Sequence, residues 1–262
     1  MNSVSRGAWL PSGTPRDISV GALIGVFSGL FGVGGGVILV PLLVLLFVVE
    51  QRRAQATSLV VVAIAAVSGA VSYSLGSSVT WEAVPFLIAG GLAGAWVGSL
   101  LILKVQVRWL QIGSAVVMAI AAMRLVFLSL ENSATDVPEL ALYIAVGYVG
   151  AGFLMGLCSS LLGVGGGIVV VPLLVTFFGF SQQLAQGTSL VVIVPIAILG
   201  AWRLTKSGFT QWGQGVRIGI AAAIGAVGGA TLALMIVSQA LQIAFAAVLV
   251  FAAVQMVRKA LR

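Results

Sequence analysis

Gly32-Val33-Gly34-Gly35-Gly36, followed by Val37-Ile38-Leu39-Val40-Pro41-Leu42-Leu43-Val44, is the stretch that decides how this chain folds. It recurs as Gly163-Val164-Gly165-Gly166-Gly167, followed by Ile168-Val169-Val170-Val171-Pro172-Leu173-Leu174-Val175. The offset is 131 residues, half of the 262-residue chain. Working outward, the same offset relates Ala54-Gln55 to Ala185-Gln186, Thr57-Ser58-Leu59 to Thr188-Ser189-Leu190, Gly69 to Gly200 and Trp81 to Trp212. It also relates Gly94 to Gly225, Gly98 to Gly229 and Leu110-Gln111-Ile112 to Leu241-Gln242-Ile243, without a gap. The chain is a duplication, and duplication in an apolar chain is a frequent mark of a transporter.

The composition is that of a membrane protein. Hydrophobic residues make up 60% and charged residues 7%, and the mean hydropathy is +1.20, outside the range of soluble domains. Long apolar runs broken by short polar stretches indicate helices rather than the alternating segments of a transmembrane barrel. These runs leave no room for a soluble catalytic domain. The chain has no histidine and one cysteine, Cys158. An internal disulfide is thereby excluded, and the commonest proton shuttle and metal ligand is absent. We expect no metal site, no cofactor, no nucleic-acid partner and no enzymatic activity; homo-oligomerisation is left open. The first 17 residues lack the compact apolar core of a cleaved signal peptide.

Three segments of the first half are long enough to span a bilayer: 54–75, 83–103 and 107–130. Their counterparts are 185–205, 214–235 and 240–261. A span needs about 20 residues. Before each trio lies an apolar stretch interrupted by the glycine motif, 18–49 and 140–178, whose arms are mostly short for a full crossing. The net charge of +7 is distributed unevenly. Basic residues gather near 52, 106, 206 and 260; Glu82, Glu131, Asp136 and Glu139 mark the other turns. The positive-inside rule places the basic turns in the cytoplasm and those near 78, 135, 182 and 238 outside. Each loop then lies opposite its repeat partner. The expected fold is therefore all-α and polytopic, with two inverted repeats. Each repeat is a broken-helix hairpin at GVGGG plus three transmembrane helices. The expected organisation is a cytoplasmic segment 1–17, a first repeat 18–130, an acidic external linker 131–139 and a second repeat 140–262. The setting is the inner or plasma membrane, with both termini cytoplasmic. The competing arrangement is four crossings per half in parallel repeats, which would put basic second-half loops outside. Trp9, Trp81, Trp109 and Trp212 read as interfacial anchors.

A helix broken within lipid leaves backbone groups that only protein or a wet cavity can satisfy. The helices starting near Gly36 and Gly167 point free N–H groups and a positive dipole end at the break. Two such ends facing one another at the bilayer midplane would hold an anion without any cationic side chain. Gly34, Gly35, Gly36, Gly165, Gly166 and Gly167 are therefore candidate binding residues, whereas Gly90, Gly91, Gly94, Gly98, Gly225, Gly228 and Gly229 read as packing positions. Gln55, Thr57 and Ser58, with Gln186, Thr188 and Ser189, could donate to an oxyanion or could cap helices. Ser28 and Ser159 precede the breaks and complete the candidate set, although a hydroxyl bonded back to its own helix is the favoured role for each. Arg203 is placed where it could face the path from the cytoplasm, and Arg124 lies less comfortably toward the outside. No carboxylate sits at membrane depth, which leaves a proton-coupled cycle unsupported.

Two halves, each with GVGGG, a short apolar run, Pro-Leu-Leu and then Gln-x-Thr-Ser-Leu, resemble the sulfite exporter TauE/SafE family of membrane permeases. The likeness runs from about Ile18 to Leu261. It implies transport, as a probable exporter would perform it, of small sulfur-containing oxyanions such as sulfite or organosulfonates. Alternating access would rock one hairpin-bearing half against the other. An anion channel and a non-transporting scaffold subunit remain as alternatives.

Overall fold

The computed structural model describes residues 15–46, 51–101, 112, 115, 116, 119, 120, 122, 123, 142–163, 165–206 and 208–260. Nine helices are delimited among them: α1 Pro15–Phe31, α2 Gly36–Leu46, α3 Gln51–Leu75, α4 Val84–Leu101, α5 Leu142–Leu162, α6 Gly167–Phe178, α7 Gln182–Lys206, α8 Trp212–Met235 and α9 Ser238–Ala260. The described positions between 112 and 123 are helical as well, within the expected span 107–130. Residues 1–14 of the expected N-terminal segment, the linker 131–139, Trp9, Trp109 and Arg124 lie outside the described residues, and residues 15–17 belong to α1.

Six of these helices, α3, α4, α5, α7, α8 and α9, are long and apolar enough to cross a membrane. At 1.5 Å per residue the 25 residues of α3 and of α7 reach about 37 Å, against a hydrocarbon core of about 30 Å. The 11 and 12 residues of α2 and α6 reach only about 17–18 Å. Large side chains such as Leu23, Val71, Ile224 and Phe251 lie exposed on the outside of the bundle. In water that belt would be an aggregation liability; in lipid it costs nothing. The protein is thus an all-helical, multi-pass membrane protein.

The contacts come in pairs that exchange the two halves. A Cβ added at Gly69 of α3 would stand 2.9 Å from Leu190 of α7, and one at Gly200 of α7 would stand 3.0 Å from Leu59 of α3. These contacts run α3 and α7 antiparallel. α1 does not pack most closely on its own repeat but on α8. Gly21 meets Ile218, Gly25 meets Ala222 and Gly29 meets Ala226, with both helices running the same way. The counterpart is α5 against α4, where Gly152 meets Leu87, Gly156 meets Gly91 and Phe153 meets Gly94, again parallel. Glycine is required at these crossings because the partner's carbonyl occupies the place of a side chain: a Cβ at Gly156 would lie 1.9 Å from Gly91 O. The short helix α6 packs back on α5. Phe178, at the end of α6, stacks on Tyr148 near the start of α5, with centroids 4.6 Å apart. Phe180 N–H closes the α6 terminus on Leu174 O at 3.2 Å.

Turns fall into two groups at the two ends of α3. At one end Gln211 N–H donates to Thr57 Oγ1 at 3.3 Å, and Arg203 lies over the Trp96 ring at 3.7 Å. At the other end Thr80 N–H donates to Thr188 Oγ1 at 3.0 Å, Gln182 N–H donates to Ser238 Oγ at 3.2 Å, and Gln183 Nε2 donates to Ile236 O at 2.9 Å. The first group carries the described basic residues Arg52, Arg53, Arg203, Lys206 and Arg217; the second carries Glu82.

Candidate anion-binding site

The site is built from the two glycine segments between paired helices. α1 and α5 end in matching bonds, Gly32 N–H to Ser28 O and Gly163 N–H to Ser159 O, both 2.9 Å. The chain then turns through positive φ at Gly32, Gly34 and Gly35, and at Gly163, Gly165 and Gly166. The next helices start from Gly35 O, which accepts from Ile38 and Leu39 N–H, and from Gly166 O, which accepts from Val169 and Val170 N–H. Gly35 and Gly166 are therefore the caps, at φ 73° and 76°. A side chain there would be strained in the left-handed region, and its Cβ would lie 2.5 Å from Ile24 Cγ2 or 2.4 Å from Met155 O. The N–H groups of Gly36, Val37, Gly167 and Ile168 precede the first N–H that bonds to the cap carbonyl, Ile38 or Val169, so each helix start directs backbone donors and its positive dipole end toward the break.

The two segments meet. A Cβ on Gly165 would stand 3.1 Å from Val33 O and 3.8 Å from Gly34 Cα, and one on Gly167 would stand 2.5 Å from Gly32 O. Val62 closes on both Gly34 and Gly165, and Ile193 on Gly34 and Gly167. Val62 and Ile193 are repeat mates at the middles of α3 and α7, which sets the meeting point at mid-depth in the bundle. Gly34 to Gly36 and Gly165 to Gly167 are all buried.

The Gln-x-Thr-Ser motifs hold these tips across the repeats. Ser58 Oγ donates to Gly163 O at 2.5 Å, and Ser189 Oγ donates to Gly32 O at 2.6 Å. Each serine also lies within bonding distance of the carbonyl three residues before it, Gln55 O or Gln186 O. Thr57 and Thr188 accept from turn amides, as described above. These hydroxyls are committed to protein partners, whereas those of Ser28 and Ser159 are not. Both are buried, and neither Oγ has a hydrogen-bond partner among the described residues. The back-bond to their own helices, the favoured expectation, is not made. Ser28 Cβ lies beside Gly35, within 3.4 Å of where a Cβ would be. Gln55 and Gln186 are buried, and they stack against Gly163 and Gly32 respectively. Gln186 Oε1 accepts from Tyr73 OH at 2.8 Å, while Gln186 Nε2 is buried without a partner among the described residues. Arg203 stands at the basic end on Trp96, with Nη1 buried and unpaired.

Two residues near the tips escape a reading based on motifs. Tyr73 has Leu204 as its mate and therefore no repetition to signal it. Gln182 does repeat Gln51, a match that was available in the sequence but lies outside the Gln-x-Thr-Ser run.

Comparison with known proteins gives the family. Residues 3–125 and 148–262 match the family model described as Sulfite exporter TauE/SafE. The "Probable membrane transporter protein YdhB" of Bacillus subtilis is 27% identical over 213 residues, 79% of this chain and 85% of that protein. A "Probable membrane transporter protein" of Haemophilus influenzae is 28% identical over 202 residues, 74% of each. The "Probable membrane transporter protein YunE" of Bacillus subtilis is 28% identical over 110 residues, 42% of this chain and 40% of that protein. No solved structure matches the chain. With both copies of the glycine motif inside the matched residues, the chain belongs to the sulfite exporter TauE/SafE family of membrane transporters.

Proposed function

We propose that the protein exports a small sulfur-containing oxyanion, sulfite or an organosulfonate, bound at mid-membrane between the two glycine tips. The observation that carries this reading is the meeting of the two glycine segments, each opening a helix, in the buried interior, with the buried hydroxyls of Ser28 and Ser159, one turn before the breaks, unpartnered among the described residues. Amide and hydroxyl donors in a low-dielectric site favour an oxyanion. Gly34 to Gly36 and Gly165 to Gly167 supply the backbone, and Ser28, Ser159, Gln55 and Gln186 the side-chain donors. Ser58, Ser189, Thr57 and Thr188 hold the frame. With the cell interior negative, moving one negative charge outward is downhill by about 2.3 kcal/mol per 100 mV, so the export step needs no coupling ion.

The antiparallel course of α3 and α7, which are repeat mates, supports two inverted repeats. The return of Phe178 to the level of Tyr148 supports hairpins that enter and leave on one side. The segregation of basic residues to the Thr57 end supports a cytoplasmic location for that end. The close parallel packing of α1 on α8 and of α5 on α4 favours moving bodies that cross the repeats. Each hairpin travels with a helix of the other half, in place of one half rocking against the other.

Purified protein in liposomes tests the function. Potential-dependent sulfite efflux should appear in the wild type and be abolished by Ser28→Val or Ser159→Val with folding intact. Flux unaffected by both would reduce the tips to a packing device, and an absence of wild-type flux would exclude sulfite.

A further inference from the structure

The polar surface continues beyond the tips toward the outer end of α7. Gln182 is fully buried, at 0% exposure, although it is the first residue of that helix. Both its side-chain Nε2 and its Oε1 lack a hydrogen-bond partner among the described residues. Gln186, also at 0%, follows one turn later on the same face, with Nε2 unpartnered. Leaving a buried amide unsatisfied costs about 1–3 kcal/mol per group, so a pair of such groups on one face needs a reason. Tyr73 supplies an orientation. Its single phenolic proton has Gln186 Oε1 at 2.8 Å and Gly29 O at 2.9 Å as acceptors. Occupation of Oε1 leaves the Gln186 NH2 as the free group, and NH2 is a donor. Gln186 in turn lies against Gly32, so the face leads directly to the tip.

We propose that Gln182 and Gln186 form a second oxyanion subsite, on the outward side of the tips, which the substrate occupies on leaving. Tyr73 is its positioning residue. The proposal rests on the export reading above and adds where the anion goes next. The subsite is closed over in this structure. The backbone of Gln182 is bonded to Ser238, and the Gln183 side chain to Ile236 O. Opening it means parting the α7 start from the 236–238 turn. Position 204 is Leu where Tyr73 would be repeated, so the duplication supplies no tyrosine to orient Gln55.

The test uses sulfite flux in right-side-out and inside-out membrane vesicles, with Gln182→Met. The half-saturating sulfite concentration at the outer face should rise about tenfold and stay unchanged at the inner face. Equal shifts on both faces, or none, would overturn the subsite while leaving the midplane reading in place. A second readout is independent of the transported ion. Gln182→Met removes an unsatisfied amide of similar shape, so the thermal midpoint should hold or rise. A fall of several degrees would show that the side chain is structural and would also overturn the proposal. Absence of any wild-type sulfite flux would count against the export reading; the thermal result would then decide the subsite.

Discussion

Gly156→Ala adds one methyl group to α5, and the structure states where it goes. Its Cβ would lie 1.9 Å from Gly91 O, 2.7 Å from Ala95 N and 2.8 Å from Gly91 C. All three are backbone atoms of α4, so no side chain can swing aside. Reaching even 3.0 Å requires the helices to part by about 1.1 Å at this crossing. A radial gap of 0.5–1 Å already forfeits a quarter to a half of the dispersion energy of each contact it opens. Overpacking of a close-packed interior typically costs about 1–3 kcal/mol. Because the obstacle is backbone along a whole helix pair, we expect the upper part of that range, about 3 kcal/mol. The control is on the same helix: a Cβ at Gly150 meets nothing within 4 Å. Gly150→Ala should gain helix propensity, up to about 1 kcal/mol. The assay is thermal denaturation in detergent, followed by loss of the monodisperse peak in size-exclusion chromatography. A clear drop for Gly156→Ala with none for Gly150→Ala is expected. Equal tolerance of both would refute the parallel α4–α5 crossing and, with it, the cross-repeat pairing.

Other outcomes follow from the same geometry. Ser58→Ala and Ser189→Ala leave the Gly163 and Gly32 carbonyls without a cross-repeat donor. Each should lower stability by about 1–3 kcal/mol, measured in the same melt. Gly166→Ala combines a left-handed φ of 76° with a Cβ 2.4 Å from Met155 O; it should destabilise more than Gly228→Ala, whose Cβ meets nothing within 4 Å. In a Cys158→Ala background, Ser77→Cys should react with a membrane-impermeant maleimide from outside intact cells. Gly213→Cys should react only after permeabilisation; the reverse pattern would invert the orientation. Trp96→Leu removes the ring beneath the Arg203 guanidinium and should cost about 0.5–2 kcal/mol in the thermal midpoint.

Much of the helical plan was legible because it is written twice. The Gly32–Gly36 and Gly163–Gly167 runs located both breaks, and the predicted span 185–205 lies within the observed Gln182–Lys206. The glycines at 90, 91, 94 and 98 announced a close approach, and α4 makes one. What the stripe could not name was the partner. A missing side chain permits contact with any helix, and the choice of α5 over a helix of the same repeat is set by the tertiary arrangement. Ser58 shows a similar limit. A hydroxyl near the expected start of a span reads equally as a cap or as a ligand donor, and its acceptor, Gly163 O, lies 105 residues away. Ser28 and Ser159 failed in the opposite sense: local back-bonding is the common fate of a helical serine, yet here both oxygens face the interior unpaired. Tyr73 was invisible because a residue without a repeat mate leaves no mark in a reading built on repetition.

Binding stoichiometry tests the central claim most directly: the two tips make one site. Isothermal titration of sulfite into purified protein in detergent should give one anion per chain, with binding lost in Ser28→Val and equally in Ser159→Val, because each removes a donor from the same site. A serine variant that loses one binding event while another persists would mean two separate helix ends and would contradict the shared midplane site.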